Sequence, residues 1–218
     1  MISPRPLPSA AVDTTFASQC LGEFLARLRK IDPHPAVLDL GILCGANIAF
    51  LGSQGCRVSV ESLPRPFSGA TAVTSAVGPK ADRGLVEGAV VAGPPTPLPP
   101  LSYPAESFAG ILAWDAIARI PQKEASALVE NMRRLLLNGG VVLAHFPGPP
   151  GNMNGAAGRY RILSAERLAV EPSPHKNLPA VPYQNREIYA LFARFDVVRL
   201  SHMKSGTREV LVARSRRH

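Results

Sequence analysis

Residues Ala36–Leu63, AVLDLGILCGANIAFLGSQGCRVSVESL, decide the fold. Ala36 to Leu40 is a short apolar run of strand type, closed by Gly41. Gly45 to Gln54 predicts a helix with Ile48 and Leu51 facing inward, and Gly55 turns the chain into a second strand, Arg57 to Glu61. A strand, a glycine turn, a helix and a parallel strand ending on an acid make a βαβ unit. Glu61 lies about 20 residues after Gly41, the spacing of a ribose-binding acid. Leu43 stands where many such turns carry a glycine.

The rest of the chain extends this pattern outward. Residues 1–12 read as a loose segment. Asp13 is placed to cap a helix whose Phe16, Cys20, Phe24 and Leu28 recur every fourth position and which ends near KIDPHP. Ser62 to Lys80 has no clear signal, Leu85 to Val91 reads as a third strand, and a proline-rich loop runs to Pro104. FAGILAW (Phe108–Trp114) reads as a strand buried on both faces. Next comes a helix with Leu128, Met132 and Leu135 on one face, which Gly139 and Gly140 are expected to end before a fifth strand. GPPGNMNGAAGRY is read as a flexible loop, and Arg161 to Tyr183 as a proline-broken insertion. Together, about Pro147 to Tyr183, they form the expected lid. QNREIYALFARF predicts the last helix, and DVVRLSHMKSGTREVLVAR two strands joined around Lys204 to Gly206. A hairpin closing an otherwise parallel sheet separates this chain from an ordinary dinucleotide fold, which would end on another crossover.

Composition narrows the classes of function. The 218 residues, 46% hydrophobic, suit one domain with one sizeable core. The net charge of +8 favours anions as partners. Nucleic acid has little further support, since the basic residues are dispersed outside the tail ARSRRH and do not interleave with aromatics. Cys20, Cys44 and Cys56 lack the paired short spacings of a zinc or redox centre, so they read as reduced thiols and no metal is expected. Three prolines interrupt the first dozen residues, and no segment has the length and apolarity of a membrane span. A cytoplasmic protein is the expectation.

In the order of these elements, and in VLDLG, GANIAFLGSQGCRVSVE, YPAESFAGILAWDAIARIP, NMRRLLLNGGVVLAHF and FARFDVVRL, the chain resembles the class I S-adenosylmethionine-dependent methyltransferases from about Ala36 to Arg214. The resemblance implies an α/β, Rossmann-like three-layer sandwich. Its sheet would be seven-stranded and mostly parallel with an antiparallel C-terminal hairpin strand, and the cofactor S-adenosylmethionine would lie across the carboxyl ends of the first, second and fourth strands. Backbone amides after Gly45 would meet the cofactor carboxylate, Asp39 would hold the turn or accept from its amine, and Glu61 would accept from both ribose hydroxyls. The resulting cofactor set is Asp39, Gly41, Gly45, Asn47, Glu61, Trp114 and Asp115. The adenine would rest on backbone amides and apolar contacts near Val91 to Pro95, since no acid follows the third strand and Ala109 replaces the frequent acid after Phe108.

Methyl transfer depends on alignment, so no fixed triad is expected, and Asp115, His145 and Tyr183 are the candidates to take a proton. The turn itself is expected to be re-routed, with Ile42 and Leu43 packed under the helix and the amides near Gly45 exposed. The alternatives are a non-catalytic binding or assembly protein that has lost the cofactor, motivated by Leu43 and Ala109, and a nicotinamide-dependent oxidoreductase, disfavoured because Gly41 and Gly45 do not form G-x-G-x-x-G. A small molecule is the expected substrate. The methyl acceptor and the oligomeric state are left open by the sequence.

Overall fold

A computed structural model describes residues 14–61, 63, 101–148, 158–172, 180–203 and 206–215. The main sheet has six described strands: β2 (Ala36–Asp39), β3 (Arg57–Val60), β4 (Phe108–Trp114), β5 (Leu136–Phe146), β8 (Phe195–His202) and β9 (Arg208–Arg214). Their order is β3-β2-β4-β5-β9-β8, and only β9 runs against its neighbours. The C-terminal hairpin thus closes a parallel sheet, as its sequence indicates. The third strand expected at Leu85 to Val91 and the adenine contacts at Val91 to Pro95 lie outside the described residues.

Helices cover both faces, the arrangement that buried parallel strands require. Helices α1 (Leu21–Ile31) and α2 (Gly45–Ser53) lie on the face that carries Leu112, Leu143 and Leu211. Helices α3 (Gln122–Leu135) and α4 (Asn185–Leu191) cover the other, against Ile111, Val142 and Val212. All seven residues of β4 are buried. Gly110 lets α1 come close, because a β-carbon there would lie 2.5 Å from Leu28 Cδ2 and 2.7 Å from Phe24 Cζ.

Four readings are corrected. Helix α1 begins at Leu21, and Phe16 belongs to a strand, β1 (Thr14–Ala17). The β-branched pair Thr14-Thr15 suits a strand, and the Ser18 hydroxyl accepts the Leu21 N–H at 2.9 Å where a cap from Asp13 was expected. Helix α3 stops at Leu135, so Gly139 and Gly140 lie inside β5, where Gly139 takes a φ of +76° in the stretch over which the β4–β5 register shifts. Ile48 faces outward at 38% exposed, whereas Leu51 is buried.

The fourth correction concerns the insertion. β6 (Gly158–Ser164) and β7 (Arg167–Pro172) form an antiparallel hairpin, and β1 pairs with β7 to complete a three-stranded sheet. Tyr160 and Ile162 alternate with the less buried Arg159, Arg161 and Leu163, which gives β6 one buried face that the glycine-rich flank obscures in the sequence. The remaining lid residues, 149–157 and 173–179, lie outside the described residues.

Candidate functional site

The carboxyl ends of β2, β3, β4 and β5 bring the chemistry-bearing side chains to one edge. Asp39 closes β2 at 1% exposure. Its Oδ1 accepts the Gly41 N–H at 2.8 Å and the Trp114 indole N–H at 2.7 Å. Burial pushes the Asp39 carboxyl above the usual carboxylate range, against hydrogen bonds from Gly41, Trp114 and Asn47 that pull it down. Gly41 is where the indole fits: a β-carbon there would lie 2.5 Å from Trp114 Cδ1. Trp114 itself ends β4 at a φ of +45°, a conformation that a bulky residue adopts only when its surroundings impose it.

The turn after Gly41 runs outward. Leu43 is 59% exposed and Ile42 half-buried, so Leu43 neither packs under α2 nor fills a cavity, which corrects the packing expected of it. Cys44 caps α2 in extended geometry without a side-chain hydrogen bond, and the first turn holds no acid. Nothing lies within 4 Å of a β-carbon placed on Gly45. Helix α2 therefore starts as an open amide end beside clear space, with its dipole uncompensated by any acid in its own first turn.

Asn47 sits in the same first turn and is committed to structure. Its Nδ2 donates to the Tyr160 carbonyl at 2.9 Å, and its Oδ1 accepts the Ile162 N–H at 2.8 Å, so its side chain pairs with β6 as a strand edge would. Glu61 follows β3 and is exposed; its N–H donates to the Asp39 carbonyl at 2.9 Å, and its Oε2 accepts the Tyr103 hydroxyl at 3.1 Å. Burial, then the neighbouring Glu61, raises the Tyr103 phenol above its ordinary range. Asp115 is ion-paired to Arg119 at 2.8 Å, one helical turn on.

An aromatic cluster closes the edge between β4 and β5. The Tyr160 ring lies nearly parallel to Trp114 and His145, with centroids 5.1 and 4.8 Å away. His145 Nε2 is 3.1 Å from Glu209 Oε1, both side chains fully buried, and His145 Nδ1 has no partner among the described residues. Glu209 also accepts the Ser18 hydroxyl at 2.5 Å and the N–H groups of Gln19 and Cys20 at 2.7 and 3.0 Å. Burial works to raise its carboxyl, yet the bonds and charge of His145, with Ser18 and Gln19, outweigh it and hold Glu209 below the usual range. Tyr183 lies apart from this cluster, on the other face against Phe146. Tyr160 and Glu209 were invisible as site residues: the first lies beyond a glycine-rich stretch, and the second shows only as an acid inside an otherwise apolar strand.

Among the described residues no helix is long and apolar enough to cross a membrane, and no cluster of His, Cys, Asp or Glu could hold a metal ion. No protein-family model matches this chain, and no curated protein matches it. Solved structures do. The PH0226 protein from Pyrococcus horikoshii matches with a TM-score of 0.51 and 14% identity over 88% of this chain and 89% of that one. The cyclase SpnF matches with a TM-score of 0.50 and 9% identity, over 90% and 80% of the two chains. A 1,6-didemethyltoxoflavin-N1-methyltransferase from Burkholderia thailandensis, solved with 1,6-didemethyltoxoflavin and S-adenosylhomocysteine, has a TM-score of 0.47 and 20% identity over 90% and 79%. At such identities the likeness is one of architecture alone. This chain shares the fold of the PH0226 protein and of SpnF.

Proposed function

We propose that the chain binds S-adenosylmethionine across the carboxyl ends of β2 and β3 and transfers its methyl group to a small-molecule acceptor. The observation that carries this reading is the pairing of an open, uncapped start of α2 with an exposed acid, Glu61, on the next strand. The donor set suits the cofactor: free amides from Leu43 to Gly45 for a carboxylate, and the Glu61 carboxylate for a diol. Bound there, the cofactor supplies an electrophilic methyl group on a sulfonium. The chain's own part is positional. Asp39 fixes the turn and Trp114, Trp114 and Tyr160 shield the edge from water, and Asp115 stands beside them with its charge matched by Arg119.

One observation favours the second reading, a protein that keeps the fold without the cofactor: the Trp114 indole fills the space beside Gly41. Calorimetric titration with S-adenosylhomocysteine separates the two. Wild-type binding is expected, and Glu61→Ala should weaken it by about 1 to 3 kcal/mol, the scale of hydrogen bonds left unmatched. Equal affinity in the variant would remove Glu61 from the site, and no heat for the wild type would favour the second reading.

A further inference from the structure

Arg208 opens β9 at the same edge, and nothing above uses it. It is 9% exposed and, among the described residues, its side chain makes one hydrogen bond, from Nη1 to Asn185 Oδ1 at 3.2 Å. Among the described residues no carboxylate lies within ion-pairing distance of it. The other buried arginines are matched, Arg119 by Asp115 and Arg214 by Glu106. A buried cation whose one hydrogen bond goes to a neutral amide carries a desolvation cost that a bound anion would offset.

A second group points to the same ligand. Tyr183 is 3% exposed, and its hydroxyl has no hydrogen-bond partner among the described residues. Phe146 and Arg208 face each other in the β5–β9 ladder, so their side chains share a face, and the Tyr183 ring meets Phe146 edge-on at 5.2 Å. Asn185 is exposed and two residues from Tyr183, so the guanidinium lies one side chain beneath the surface. Both groups feel the charge of Glu187.

We propose that Arg208 and Tyr183 form a subsite for a carboxylate carried by the methyl acceptor. The word acceptor rests on the methyl-transfer reading; the anion site does not. A planar carboxylate matches the edge of a guanidinium and can accept from a phenol on the same face of the sheet, and the charge of Glu187 disfavours a dianion such as a phosphate monoester.

The test is a calorimetric titration of the full chain with benzoate, benzamide and phenyl phosphate, with and without S-adenosylhomocysteine. Wild type should bind benzoate roughly tenfold or more tightly than benzamide, as expected for a charge-assisted bond, and more tightly than phenyl phosphate. Tyr183→Phe should weaken benzoate about three- to tenfold, the scale of one hydrogen bond, while thermal stability stays equal or rises, because the lost hydroxyl had no partner. A merely structural tyrosine would not separate the two readouts. Arg208→Lys keeps the charge but not the fork, and should also weaken benzoate. Benzoate binding no better than benzamide, phenyl phosphate binding more tightly than benzoate, or full benzoate affinity in Tyr183→Phe would overturn the carboxylate site. Benzoate binding without any S-adenosylhomocysteine binding would uphold the site and overturn methyl transfer.

Discussion

Glu209→Ala is expected to destabilise the fold by about 3 to 5 kcal/mol, the scale of removing one partner from a buried ionic network. The Glu209 carboxylate is the common acceptor for Ser18, Gln19, Cys20 and His145, and the variant leaves Ser18, Cys20 and His145 buried without it. It also ties the start of α1 to β9, nearly the whole chain length away. Urea denaturation at neutral pH reads the loss, and a cost below about 1 kcal/mol, the worth of an exposed pair, would contradict the network. Its pH dependence has a definite sign. Glu209 is held below the ordinary glutamate range, so its ionised form contributes stability above that range, and the contribution is lost as pH falls through its lower folded value. The stability gap between wild type and Glu209→Gln should therefore narrow in acid.

Gly110→Leu is expected to cost about 3 kcal/mol or more, beyond ordinary overpacking. Leu28 and Phe24 of α1 occupy the space above this glycine to within 3 Å of the new β-carbon, and a leucine would lift the helix from β4. Gly52→Ala is the matched control. No atom lies within 4 Å of a β-carbon there, the site is helical and exposed, and alanine should stabilise by up to about 1 kcal/mol. Equal melting temperatures for Gly110→Leu and wild type would contradict the close approach of α1.

The quoted stretch carried its own structure because its signals are local. Strands β2 and β3 and helix α2 lie within one residue of their sequence limits, since an apolar run, a glycine and an inward Leu51 each act on near neighbours. What stayed hidden depends on partners far along the chain. Asp39 and Gly41 are both legible as a turn, but nothing in that stretch says that Trp114, 75 residues on from Asp39, supplies the second donor and fills the glycine's space. Asn47 reads as a cofactor contact in the first turn of a helix, and nothing local says that β6, more than 110 residues later, takes up its side chain. Phe16 fits the helical spacing of Cys20 and Phe24, yet pairing with β7 draws it into a strand. Leu43 raised a steric doubt that the outward course of the turn removes.

We propose that the open start of α2 and the acid after β3 hold S-adenosylmethionine. Backbone amide shifts of the uniformly 15N-labelled chain, followed while the cofactor is added, test it most directly. The account predicts saturable shifts at Leu43, Gly45, Glu61 and the Trp114 indole N–H, with none of comparable size from a nicotinamide dinucleotide. Unmoved signals at those positions with millimolar cofactor would contradict it.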